Sequence, residues 1–440
     1  MHCAAIITLG CPKNQVDSEM IKGLLIEKGY RYVDRPEKAD IIVVNTCGFI
    51  QDAKQESINT LLEIANYKKE GRCTLLVATG CLTQRYGREL LREIPEIDVV
   101  LGTTSFPGIV RAVDESLMGK RVLDIGHRDA VIPEGLPRST PKGAHYEYLK
   151  IAEGCDNHCS YCIIPKLRGK YRSRREEDII REAKRLVSGK VRELILIAQD
   201  TTGYGRDLYD EMRLPKLLDR LCGIEGLNWI RLLYCYPDGI TGELINTIER
   251  QPNICKYLDI PVQHASDRIL RLMNRRTTAA RTEKLLSSIR ERLPGLVIRS
   301  TVIVGFPGET DQDFESVLTF VRRGYFDRLG VFTYSREEDT PAYNMKDRVP
   351  QKLAEERKEI LMLEQQRISL KNNASMVGHE VEVIVDGRDD CQYYGRTYRD
   401  APEIDNLVLF TSDMAKKAGD FARVRIEHAF EYDLVGRVVG

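Results

Sequence analysis

Short apolar runs alternate with amphipathic stretches along the first 130 residues. The runs at 4–9, 40–45, 74–79 and 98–101 have the length of buried strands. Between the first two, the stretch 16–28 places Val16, Met20, Ile21, Leu24 and Leu25 on one helical face. Such alternation predicts a parallel sheet, because parallel neighbours need a crossover long enough to hold a helix. The pattern then breaks. Residues 131–144 mix Pro133, Pro137 and Pro141 with Gly135, Ser139, Thr140 and Gly143, the composition of a linker.

From 145 to 372 the alternation resumes, with strand-length runs at 146–152, 193–198, 229–234, 257–262, 297–304 and 329–334. A helical pattern follows each of the first five; the one at 176–187 ends in Ser188-Gly189, a C-cap signal. Six strand–helix units predict an open, partial (β/α)6 barrel with its reactive centre at the carboxyl ends of the strands. The charged stretch 351–371 reads as a closing helix. From 373 to 440 the period shortens, with runs at 380–385, 392–397, 407–410 and 422–428. A small antiparallel β-barrel is expected there. The fold class is therefore α/β with an all-β tail.

The 440 residues carry 66 basic and 66 acidic side chains, so no global field marks a nucleic-acid binder. No stretch approaches the 18 or so apolar residues that span a bilayer, and Met1 to Gly10 lacks the basic start and long apolar run of a signal peptide. The expected compartment is the cytoplasm, with no membrane partner. In a reducing compartment, twelve cysteines point to metal or redox chemistry before a disulfide framework.

Cys155, Cys159 and Cys162 are spaced C-x3-C-x2-C directly after the run 146–152. Three such thiolates can hold three irons of a cubane cluster and leave the fourth open, which is what a cluster needs to bind a substrate. A zinc site is the alternative, but no fourth Cys or His stands beyond them at finger spacing. A second pattern is positional. Cys11, Cys47 and Cys81 each follow one of the first three strand runs. Successive carboxyl ends lie side by side in a parallel sheet, so these thiols should converge. Cys3, Cys73, Cys222, Cys235, Cys255 and Cys391 show no partner spacing and are expected to be packing residues.

The loop Gly154-Cys155-Asp156-Asn157-His158-Cys159-Ser160-Tyr161-Cys162 resembles the radical S-adenosylmethionine (SAM) signature. That resemblance implies an open iron that chelates SAM and, once reduced, yields a deoxyadenosyl radical. It also implies SAM contacts at Tyr161, at Gln199 and at Gly305; loop and turn chemistry is the alternative at each place. With Thr8-Leu9-Gly10-Cys11-Pro12-Lys13-Asn14, Asn45-Thr46-Cys47-Gly48-Phe49 and Gly80-Cys81 added, the whole chain resembles the methylthiotransferase family. Cys11, Cys47 and Cys81 would then hold an auxiliary 4Fe-4S cluster, Cys155, Cys159 and Cys162 the radical SAM 4Fe-4S cluster, and the tail would be a TRAM domain.

Some branches of that family modify tRNA adenosine, and a RimO-like branch modifies a ribosomal protein. Ile163-Ile164-Pro165-Lys166-Leu167-Arg168-Gly169, Gln199-Asp200-Thr201-Thr202, Pro261-Val262-Gln263-His264-Ala265-Ser266-Asp267-Arg268 and Ala401-Pro402-Glu403-Ile404-Asp405 resemble the RimO-like branch. The implied substrate is an aspartate of small-subunit ribosomal protein S-twelve, methylthiolated at its β-carbon with two SAM molecules, one giving the methyl group and one the radical. The sulfur donor and electron donor are not identified by the resemblance. Charge points the same way: from Lys371 to Gly440, thirteen acids stand against nine bases. A tail that gripped tRNA would lean on cations, whereas acids such as Glu403 and Asp405 suit a basic protein.

Overall fold

The computed structural model describes residues 2–389 and 391–439. Its contacts divide the chain into two compact units. One holds Met1–Pro141, Ala152–Arg174 and Ser335–Tyr343; the other holds Lys142–Ile151, Arg175–Tyr334 and Asn344–Gly440.

The first unit is built on a six-stranded parallel sheet. Its strands are β1 (Cys3–Thr8), β2 (Arg31–Tyr32), β3 (Ile41–Thr46), β4 (Leu75–Gly80), β5 (Val99–Leu101) and β6 (Val122–Asp124), in the order β2-β1-β3-β4-β5-β6. All six residues of β3 and of β4 are buried, as expected of central strands covered on both faces. The edge strands β2 and β6 were not anticipated, being only two and three residues long. The first helix, Pro12–Glu27, starts four residues before the expected position. Pro12 at its first position explains this, since the missing N–H would have no helical partner there. The cysteine loop joins this unit between two short antiparallel strands, β8 (Ala152–Glu153) and β9 (Arg172–Ser173).

In the second unit, β7 (Tyr146–Lys150), β10 (Glu193–Ile197), β11 (Trp229–Leu232), β12 (Ile254–Asp259), β13 (Val297–Val304) and β14 (Arg328–Thr333) form an open parallel sheet in sequence order. This is the expected six-unit partial barrel, followed by the long helix Gln351–Ala374. The tail closes into a barrel of β15 (Glu380–Arg388), β16 (Tyr393–Arg396), β17 (Val408–Thr411), β18 (Phe421–Ala429) and β19 (Leu434–Val438). The fifth strand, β19, was not anticipated. It pairs parallel with β17, the one departure from antiparallel order in this barrel.

The acidic loop after β16 corrects the expectation that Asp405 faces a substrate, while Glu403 is exposed. Asp405 has a side chain only 2% exposed; it accepts a hydrogen bond from Tyr257 Oη (2.6 Å) and lies 3.5 Å from Arg299 Nε. Burial pushes its carboxyl up, against the pull of Arg299. Glu403 accepts a bond from Tyr146 Oη at 2.9 Å. Around them, Arg396 pairs with Glu193 (2.8 Å), Glu193 with Arg231 (2.7 Å), and Arg328 with Asp400 (2.7 Å). Tyr146, Glu193 and Arg328 are the first residues of their strands, so the loop enters at the amino end of the sheet. It is the floor of the partial barrel, opposite the carboxyl ends of the strands. A sequence count cannot see that Asp405 is already paired with Arg299.

Candidate cluster-binding site

In the first unit β1, β3 and β4 are neighbours, and each hands its carboxyl end to a cysteine: Cys11 three residues after Thr8, Cys47 directly after Thr46, and Cys81 directly after Gly80. The loops approach closely. Gly10 has φ +89°, and a Cβ there would sit 2.8 Å from Cys47 Cβ. Gly80 has φ +105°, and its Cβ would fall 2.4 Å from Thr46 O. Only glycine fits either place.

Asn14 ties the loops together. Its Nδ2 donates to Leu9 O (2.8 Å) and Thr46 O (3.0 Å), and Asn45 Nδ2 donates back to Asn14 O (2.8 Å). A Cβ on Gly10 would also lie 3.0 Å from Cys47 Sγ, and one on Gly48 3.0 Å from Cys81 C, so the three loops meet. Burial, with Cys81 beside it, pushes the Cys47 thiol up to about 12. Burial also raises Cys81, against the pull of Arg168. Iron would displace these protons, since the thiolate is the ligand. The donor set therefore fits a cluster with three protein ligands: soft, largely buried, and pre-gathered by backbone rather than by flexible side chains. Among the described residues no three metal-ligating side chains are gathered as they would be round a single ion.

The second triad lies in the same unit. Pairing of Ala152 with Ser173 and of Glu153 with Arg172 clamps the base of its loop. Within the loop, Cys155 N–H donates to Gly169 O (3.1 Å) and Cys162 N–H to Cys159 O (3.0 Å). Ile163 and Leu167, just past Cys162, pack in one buried cluster with Cys81. The segment after one triad thus touches a cysteine of the other.

Sequence reasoning quoted Asn14, Asn45 and Arg168 within motifs but gave them no role, and it passed over Asp17 and Glu153. Their signal was a polar residue where the pattern demands burial: Asp17, Ser18 and Glu19 are all buried in the first helix. The SAM candidates are placed as follows. Tyr161 is half-buried in the cysteine loop. Gln199 follows β10, where Asp200 caps the next turn by accepting from Gly203 N–H (3.2 Å) and Thr202 Oγ1 (2.7 Å). Gly305 donates its N–H to Glu309 Oε2 (3.0 Å), and a Cβ on it would lie 2.5 Å from Ala354 Cβ in the closing helix. Its glycine thus has a packing reason. Glu309 is itself held by Arg357 (2.6 Å) and His264 (3.3 Å) in a buried cluster. Of the remaining cysteines, Cys73, Cys235 and Cys255 are buried as expected, Cys3 and Cys222 are half-buried, and Cys391 is exposed on a turn, so packing does not explain it.

Comparison with known proteins gives a consistent set. Residues 3–102 match the Uncharacterized protein family UPF0004, residues 149–321 the Radical SAM superfamily, and residues 377–439 the TRAM domain. The chain is 51% identical over 436 residues to the ribosomal protein uS12 methylthiotransferase RimO of Thermoanaerobacter sp. (strain X514), covering 99% of this chain and 100% of that protein. It is 48% identical to the protein of the same name from Clostridioides difficile (strain 630), covering 99% and 98%. Among solved structures, the radical S-adenosylmethionine methyltransferase TsrM of Kitasatospora setae, with cobalamin and a 4Fe-4S cluster bound, shares the fold at a TM-score of 0.59 and 14% identity. The match covers 78% of this chain and 77% of that one.

Proposed function

Because this chain belongs to the RimO family of ribosomal protein uS12 methylthiotransferases, we propose that it adds a methylthio group to the β-carbon of an aspartate in that ribosomal protein. The observation that carries this is identity near one half across the full length, through all three domains. The enzyme is of the radical SAM class, and its cofactors are SAM and 4Fe-4S clusters. When bound, they supply the radical, the methyl group and a seat for sulfur. The chain's own work is to hold these groups in line and keep water and stray reductants away.

Cys155, Cys159 and Cys162 hold the radical SAM cluster in this reading, and Cys11, Cys47 and Cys81 the auxiliary one. Three ligands apiece leave one iron open for a substrate. No described helix is long and apolar enough to cross a membrane. The enzyme works in the cytoplasm, where its ribosomal substrate is made, and draws sulfur and electrons from partners of its own.

The deciding assay gives reduced, cluster-loaded enzyme SAM and sulfide with either uS12 or tRNA, and reads each by mass spectrometry. Methylthio-aspartate on uS12 is the expected product; product on tRNA alone would overturn the substrate assignment. A second test divides the two clusters. Cys11→Ala or Cys47→Ala should leave deoxyadenosine formation in place while the methylthio product vanishes. Full product from either variant would make that triad structural. Cys81→Ala is a less clean variant, because Cys81 also packs on Ile163 and Leu167.

A further inference from the structure

Arg168 stands six residues after Cys162, and its side chain is 2% exposed. Its guanidinium donates to Asn14 Oδ1 at 2.6 Å, Asp17 Oδ2 at 2.8 Å and Glu153 Oε2 at 3.1 Å. Its chain neighbour Leu167 packs against Cys81, whose thiol feels the pull of the Arg168 charge. A buried guanidinium must be balanced, and Asp17 and Glu153 more than balance it. The partners have a further pattern: Asn14 and Asp17 lie on the helix that Cys11 caps, while Glu153 is two residues before Cys155. One cation thus joins the loops of both triads.

From this geometry we infer that Arg168 is a positioning residue that sets the reduction potential of the cluster held by Cys11, Cys47 and Cys81. The inference rests on the reading of that triad as a cluster site. Reduction adds an electron to a buried group. A fixed positive charge nearby stabilises the reduced form more than the oxidised one. Arginine suits this task because it stays charged however deeply it is buried, and its planar fork serves several acceptors at once. Asn14 and Asp17 aim the fork, so the charge stays fixed against the helix that Cys11 caps.

The test uses protein in which Cys155, Cys159 and Cys162 are all Ala, so that only the N-terminal cluster is titrated. The midpoint is read by electron paramagnetic resonance at matched iron content. Arg168→Gln should lower the ratio of reduced to oxidised cluster at fixed potential at least tenfold, about 59 mV in midpoint for one electron. Arg168→Lys, which keeps the charge and loses the fork, should lower it by less. Because Arg168→Gln strands two buried acids, the same exchange is also measured on an Asp17→Asn/Glu153→Gln background, against that double variant. Unchanged midpoints across loaded variants would overturn the inference. If neither neutral variant loads iron, Arg168→Lys decides: a threefold fall supports the role and none refutes it. Protein that keeps Arg168 but binds no cluster would overturn the triad reading, and this inference with it.

Discussion

Replacing Cys155, Cys159 or Cys162 with Ala is expected to abolish SAM cleavage altogether. Two remaining thiolates cannot hold the cubane in place, and without an open iron SAM has nothing to chelate it. The loss should be local. The loop is pinned at its base by the pairing of β8 with β9 and packed through Ile163 and Leu167, so the sheet that carries Cys11, Cys47 and Cys81 should keep its structure. Iron content should therefore fall by about half, the share of one cluster in two, while the circular dichroism spectrum stays unchanged. Deoxyadenosine from any one of the three variants would refute the assignment.

Asp405→Lys should have the second largest effect, on stability. The substitution removes the partner of Tyr257 and Arg299 and puts a cation beside a guanidinium in the barrel floor. Breaking a buried pair from one side costs about 3–5 kcal/mol, because the surviving charge stays buried without its partner. A shift of the urea midpoint at unchanged slope would measure this. Asp405→Asn should cost less, since an amide oxygen can still accept from Tyr257 and Arg299 keeps Asp259 at 3.1 Å. Glu403→Lys, at an exposed position, should stay within about 1 kcal/mol. Salt should not restore Asp405→Lys, as buried pairs are little screened. A variant as stable as the parent would return Asp405 to the surface, where charge counting had put it.

That contrast marks what could be read from the sequence. The central strands were legible because strands covered on both faces are near-continuous apolar runs, and β3 and β4 are of this kind. The placement of Cys11, Cys47 and Cys81 at neighbouring strand ends was legible because in a parallel sheet position along the chain fixes position in space: a residue just past β1, β3 or β4 has nowhere else to be. Edge strands of two or three residues leave no such trace. Nor does β19, where Leu434–Val438 includes a glycine and an arginine and is recruited by pairing with β17 rather than by its own periodicity. The buried ions were the largest blind spot. Arg168, Arg231 and Arg396 belong to a type that composition assigns to the surface, and each is buried only because carboxylates from distant parts of the chain meet it. Pairing at that range is a property of the fold, not of any local window.

The loop that floors the partial barrel bears on how such an enzyme could acquire a new substrate. A substrate-holding tail tethered only by a linker could be exchanged between relatives by cutting near residue 373. Here the cut would not be clean. A foreign tail without counterparts of Arg396, Asp400 and Asp405 would leave Glu193, Arg299 and Arg328 short of the partners they hold now. The tail and the amino ends of the barrel strands are thus a single inherited block: a change of recipient must carry its floor with it, and a working chimera would be joined through the barrel rather than near residue 373.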